Sequence, residues 1–212
     1  MAEMEKLEAR QFLSATLDQG VLTVFGTHKA DLIQLTIDRG TTNQITVSVN
    51  GAASRFLLSD VQKISIDGGA GDDVISVDRN QPKLIQPTTI FGAAGNDTIS
   101  GGAGSDRILG GDGNDVIDGG PGRDIIYGEA GNDRIDGNTG NDFIDGGVGK
   151  DTLQGSAGIN TLEGNAGNDL INARNGDVDS VDGGSGVDTA FTDKLDGVTD
   201  IDSLNPAHNP FA

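Results

Sequence analysis

The 212 residues carry 14 Lys and Arg against 33 Asp and Glu, a net charge of −19, with 34 glycines, no cysteine, no tryptophan and 4% aromatic residues. So acidic a chain repels nucleic-acid phosphates and anionic membranes, and too few large side chains are present for an ordinary globular core. Without thiols neither a disulfide framework nor a thiolate metal site can form, which leaves oxygen ligands and the hard cations that suit them.

In chain order, residues 1–19 lack the apolar centre of a secretory signal and read as an N-terminal segment that propensity allows to be a capping helix. Residues 20–67 hold the β-rich runs VLTVF, LIQLTI, QITVSV and KISI, with turn signals at Asn50-Gly51 and Asp67-Gly68, and read as a strand-built N-terminal cap. The repeat region spans 68–191. Within it, residues 92–172 divide into nine consecutive nonapeptides, from GAAGNDTIS to GNAGNDLIN, with no residue inserted or lost. Gly holds positions one and four in all nine, Ile or Leu holds position eight in all nine, and Asp holds position six in eight, with Asn160 as the exception. Outlying copies lie at 68–76 and 183–191, and a ten-residue variant ends at Asp182. A degenerate copy, GTHKADLIQ, begins at Gly26, where Lys29 replaces the second glycine and argues against a metal. Residues 77–91, with Pro82 and Pro87, read as a surface loop; if it replaces one turn, Asp73 and Asp97 share an edge. The tail, 192–212, carries Pro206 and Pro210 and closes the other end.

Closely spaced glycines let the first six residues of each unit turn, and the last three then form a short strand. Period-two alternation points position eight inward, so Ile99, Ile108, Ile117, Ile126, Ile135, Ile144, Leu153, Leu162 and Ile171 form a thin aliphatic core. Two units make an 18-residue coil, and no unit buries its face alone. Residues 18 apart therefore stack: Asp97, Asp115, Asp133, Asp151 and Asp169 on one edge, Asp106, Asp124, Asp142 and Asn160 on the other. Carboxylates at a strand spacing of about 4.8 Å repel by about 1 kcal/mol per pair even in water, so a bare ladder opposes folding.

These nonapeptides resemble the glycine-rich repeats-in-toxin (RTX, hemolysin-type) repeat, G-G-x-G-x-D-x-U-x with U a large aliphatic residue. The resemblance covers 81 of 212 residues without a gap. It implies an all-β fold, a right-handed parallel β-roll (a β-solenoid) loaded with calcium. A Ca²⁺ ion between successive turns can take two carboxylates together with backbone carbonyls, whereas Mg²⁺ demands a tighter octahedron. Four adjacent pairs on the first edge and three on the second suggest about seven ions, with Asp142/Asn160 the weakest site. Asp73, Asp179 and Asp188 extend the rows, so the candidate ligands are Asp73, Asp97, Asp106, Asp115, Asp124, Asp133, Asp142, Asp151, Asp169, Asp179 and Asp188.

The expected protein is an extracellular or cell-surface calcium-binding roll with a structural or adhesive role, folding as calcium binds, and not an enzyme; the alternative is a calcium-folded accessory module of a secreted hydrolase. Extracellular modules bind calcium at about 10⁻⁴ to 10⁻³ M. Neither H-E-x-x-H nor G-x-S-x-G occurs, and His28 and His208 read as ordinary surface residues. Asp118, Asp136 and Asp145, at position nine, read as outward, solvated charges. No run approaches 18 apolar residues, which leaves no transmembrane segment and no means of perforating a bilayer; with only Thr139 at position three there is no flat threonine array for ice. LEARQFLSA resembles an L-E-P-R-x-L-L-S-A segment near the start of some bacterial surface and secreted proteins, which would support export. Leu109, Ile125, Tyr127 and Phe143 fall side by side on one outer face, with two candidate occupants: the N-terminal segment through Leu7, Phe12 and Leu13, or a second molecule.

Overall fold

A computed structural model of the chain describes residues 14–37, 43–78, 86–193 and 196–204. Over the described residues the chain winds back and forth between two sheets of eleven strands each, and the pairing is parallel over the whole repeat region. In one sheet Thr88–Ala94, Arg107–Asp112, Ile125–Ala130, Phe143–Val148 and Thr161–Gly167 are successive neighbours; in the other, Thr98–Ser100, Val116–Asp118, Arg134–Asp136, Thr152–Gln154 and Leu170–Asn172. Register follows the sequence period: Arg107 pairs with Ile125, Ile125 with Phe143, and Val116 with Arg134, each 18 residues on.

All nine position-eight side chains are buried between the sheets at 1% exposure or less. Each such aliphatic side chain contributes about 1.5–3 kcal/mol when withdrawn from water. Over the regular nonapeptides the core is one file of Ile and Leu per sheet; it widens at the N-terminal end, where Leu22 and Val24, Ile33 and Leu35, Ile45 and Val47, and Ile64 and Ile66 are buried two or more to a strand.

The coils extend beyond the regular nonapeptides at both ends. Val21–Thr27 pairs in parallel with Lys63–Ala70, and Leu32–Ile37 with Val74–Val77, so residues 21–37 form a coil of the roll itself. The strands that differ in kind are Ser14–Asp18, antiparallel to Val21–Thr27, and the hairpin Gln44–Val49/Ala52–Leu57, antiparallel to Leu32–Ile37. These antiparallel pieces occupy the sheet ends, where an unpaired parallel edge would invite association. Ser14–Asp18 is thus extended where a capping helix was one reading of residues 1–19; the remainder of that segment lies outside the described residues. At the far end Gly197–Thr199 and Ser203–Leu204 continue the two sheets in parallel, so roll strands persist into the region read as a tail. Pro82, Pro206, His208 and Pro210 lie outside the described residues.

Candidate metal centre

The turns are built by backbone conformations that few side chains accept. At Gly131 (φ +140°) an added Cβ would collide with the carbonyl oxygen of Gly113, one coil back; at Gly128 it would lie 2.5 Å from Asp133 Oδ2. The carboxylate is therefore folded under the first glycine of its own unit. That close approach explains why position one is glycine throughout.

Each carboxylate spends one oxygen on the neighbouring coil. The backbone N–H of Asp97 donates to Asp115 Oδ1, that of Asp115 to Asp133, Asp133 to Asp151 and Asp151 to Asp169, all at 2.8 Å. The same bond joins Asp73 to Asp97 at 2.7 Å and Asp169 to Asp188 at 2.8 Å, which places Asp73 and Asp97 on one edge; of the stretch 77–91 read as a surface loop, 88–91 are instead strand, with Thr88 and Ile90 buried, and 79–85 lie outside the described residues. On the opposite edge Thr88, Asp106, Asp124, Asp142, Asn160 and Asp179 form the equivalent series, at 2.7–2.9 Å.

The second oxygen has no such partner. Among the described residues, Oδ2 of Asp73, Asp97, Asp106, Asp115, Asp124, Asp133, Asp142, Asp151, Asp169 and Asp188 is buried and accepts no hydrogen bond. Leaving one buried acceptor unsatisfied costs about 1–3 kcal/mol, and more when it is charged, so ten together require a partner that the protein's own donors do not supply. Burial raises these carboxyls: Asp124 to about 8, Asp133 to about 7, and Asp73, Asp106, Asp115, Asp142 and Asp169 to about 6, with Asp97 and Asp151 also raised. The N–H from the adjacent coil opposes the rise, while flanking carboxylates such as Asp106 and Asp142 beside Asp124 add to it. Two stacked rows of buried, unsatisfied acid oxygens are a binding arrangement for hard cations.

The family model of the RTX calcium-binding nonapeptide repeat matches residues 65–80, 88–117, 109–144, 118–153, 145–178 and 154–190, more than half of the chain. The chain belongs to the RTX calcium-binding repeat family. A search of the curated proteins returned no match. Calcium binding by these RTX repeats accounts for the orphaned oxygens, because Ca²⁺ takes oxygen ligands alone and tolerates irregular geometry. Among the described residues no three His, Cys, Asp or Glu side chains gather as one cluster.

Two rungs of the RTX roll depart from this pattern. Asp31, in the degenerate copy, is in line with Asp73, to whose Oδ1 its N–H donates at 2.7 Å. Its own carboxylate is saturated by Thr27 N–H (2.6 Å), Thr27 Oγ1 (2.9 Å) and the Asn50 amide. Asp179 is in its row, and burial raises its carboxyl to about 6, but its Oδ2 accepts from Asn175 Nδ2 at 2.9 Å. It differs in this from the other ten candidate ligands. Asn160 keeps the structural half of the aspartate's role, accepting the Asp142 N–H through Oδ1 at 2.9 Å, while its Nδ2 donates to the Gly158 carbonyl.

Several interactions escaped the sequence reading. At position five a second ladder runs the opposite way: Asn114 N–H donates to Asn96 Oδ1, Asn132 N–H to Asn114 Oδ1 and Lys150 N–H to Asn132 Oδ1. The position-nine aspartates are half-buried rather than freely solvated. Asn138 Nδ2 donates to Asp118 Oδ1, Ser156 Oγ to Asp136 Oδ1 and Asn165 Nδ2 to Asp145 Oδ1, each from position two of the following coil on that edge. The signal was the recurrence of small polar residues at position two, 20 residues after an Asp.

On the outer face, Tyr127 and Phe143 are half-buried against one another with ring centroids 5.8 Å apart, and the Arg107 guanidinium lies 4.8 Å from the Tyr127 ring. Ile125 is 39% exposed, and Leu109 pairs with Phe91, a further aromatic on the same face. Part of this apolar surface is thus covered by its own neighbours. Leu7, Phe12 and Leu13, one candidate covering, lie outside the described residues.

Proposed function

We propose that the protein is an extracellular or cell-surface calcium-binding roll with a structural or adhesive role, whose folding is coupled to calcium and which has no catalytic site of its own. The observation that carries this reading is the set of ten buried Asp Oδ2 atoms without a donor. Ionised, they oppose the fold; bound to cations, they join one coil to the next. Metal-binding free energy is then folding free energy, as in other sites assembled only in the native state. Extracellular use follows from the weak affinity of such modules, which suits the calcium concentration outside cells. No described helix is long and apolar enough to cross a membrane.

Six gaps of the first row, from Asp73/Asp97 to Asp169/Asp188, and two of the second, Asp106/Asp124 and Asp124/Asp142, have an orphaned oxygen on both sides, which supports about eight ions per chain. Asp142/Asn160 is a weaker ninth, with one carboxylate. Equilibrium dialysis against calcium tests the reading. The expected result is about eight ions per chain at millimolar calcium, with equal magnesium displacing few of them. A chain that bound one or none would remove the proposal.

A further inference from the structure

We infer that Asn175 stands in for the cation at the Asn160/Asp179 rung, so that this rung is closed by a side-chain amide and takes no calcium. The inference rests on the calcium reading of the other rungs.

Three oxygens converge on one nitrogen. Asn175 Nδ2 lies 2.6 Å from the Ser156 carbonyl, 2.9 Å from the Gly158 carbonyl and 2.9 Å from Asp179 Oδ2. The carbonyls belong to positions two and four of one turn and the carboxylate to the next turn on the same edge, so the amide bridges the gap between coils. Two N–H groups serve three acceptors, with one bond shared. Asp179 Oδ2 is accordingly satisfied, whereas its counterparts in ten other aspartates are not.

The charge at the rung suits a neutral donor. Replacing the usual aspartate with Asn160 leaves one carboxylate where a regular rung has two, and the Asn160 amide supplies a further donor to Gly158 O. A divalent ion would meet one carboxylate across the gap, where a regular rung has two, and a site already filled with N–H groups. The Asn175 side chain is held in place by its own turn, Oδ1 accepting the Asp177 N–H at 2.7 Å. The ten-residue unit makes room for it: the spacing from Asn160 to Asp179 is 19 rather than 18, and the extra residue enters the turn while the strands remain paired, Thr161 with Ser180.

The opposite end of the roll uses the same chemistry. Asp31 has no orphaned oxygen of its own, because Thr27 N–H and Oγ1 satisfy its Oδ2 and the Asn50 amide its Oδ1. Where the nonapeptide is broken, the chain's own donors, Thr27 at Asp31 and Asn175 at Asp179, take the oxygen that is orphaned elsewhere. The second row of cation sites therefore ends before Asp179, while the first continues to Asp188.

Calcium anomalous scattering from crystals of the native chain grown in millimolar calcium tests this directly. The expected map has peaks between successive members of the Asp97 to Asp169 row and none within bonding distance of Asp179 Oδ2, where the Asn175 amide remains. A calcium peak there, with the amide displaced, would overturn the inference while leaving the calcium reading intact. A map without peaks on either row would overturn the calcium reading and this inference with it. As a second measurement, Asn160→Asp combined with Asn175→Gly should raise the calcium count by about one in a variant whose circular dichroism in calcium matches the native chain; an unchanged count would mean that the rung already held an ion.

Discussion

The backbone N–H of Asp115 donates to Asp133 Oδ1 at 2.8 Å, while the other oxygen of Asp133 is buried without a donor. One carboxylate thus both ties two coils together and burdens the junction with an unsatisfied charge. Whether the ladder stabilises or opposes the roll depends on what neutralises that charge.

Protons are one neutraliser, and the direction of their effect follows from the raised carboxyls. In the metal-free roll Asp124 rises to about 8, Asp133 to about 7 and six others to about 6, against an ordinary 3.8. Between pH 3.8 and these values the folded state binds more protons than the unfolded one, so stability is fully present below about 3.8 and is lost as pH rises through 6 to 8. Metal-stripped protein should gain β signal in circular dichroism when acidified from pH 8 to 5. Calcium needs the ionised form, so its apparent affinity should fall over the same range. A metal-stripped sample that gained structure on going from pH 5 to pH 8 would contradict the assignment.

Glycine substitutions should separate steric from conformational cost. Gly131 has φ +140° and no room for a Cβ beneath the Gly113 carbonyl, whereas Gly176 has φ +89° and nothing within 4 Å. Gly131→Ala should destabilise the calcium-loaded protein by about 3 kcal/mol or more, since the adjacent coil has to move. Gly176→Ala should cost only about 1–2 kcal/mol, the penalty of a left-handed L-residue. Thermal melts in saturating calcium compare the two, and equal losses would show that the coil spacing is not set by the glycine.

Position two is left-handed even where it is not glycine: Ala93 (φ 78°), Glu129 (φ 74°), Asn138 (φ 65°), Ser156 (φ 60°) and Asn165 (φ 69°). Ala93→Gly and Glu129→Gly should therefore each stabilise the folded protein by about 0.5–1 kcal/mol, the relief of strain less the greater freedom of glycine in the unfolded chain. Asn138→Gly should gain nothing, because asparagine tolerates this conformation and its amide holds Asp118 Oδ1 at 2.6 Å. The check is the order of melting temperatures: Asn138→Gly rising above Ala93→Gly would refute the account of position two.

The features readable from the sequence are those that repeat every nine residues. Ile99 to Ile171 and the two Asp rows share one phase, so their side of the strand and their stacking follow from the period alone. Where the phase breaks, contacts depend on geometry that no local pattern carries. Asp31 reaches its row although Thr27, His28 and Lys29 disguise the turn, and Asn175 reaches Asp179 in the one turn of that edge that is a residue longer. The bonds from Asn138 to Asp118 and from Asn165 to Asp145 span 20 residues, one coil plus a step across the turn, so Asp118 and Asp145 read as solvated until the coils are stacked. The first coil, 21–37, was legible only in part: the degenerate copy from Gly26 marks its turn and its second strand, whereas Val21–Thr27 carries a β-rich run that reads equally well as a cap.

Calcium binding and folding are expected to be a single event. Far-UV circular dichroism with hydrodynamic radius, followed while calcium is titrated into metal-stripped protein at pH 7.5 and then removed by a chelator, tests it most directly. The expected result is that β signal and compactness appear together with calcium, saturate at millimolar concentration and vanish together on chelation, with equal magnesium restoring little of either. A chelated chain that kept its β signal and its compact radius would contradict it.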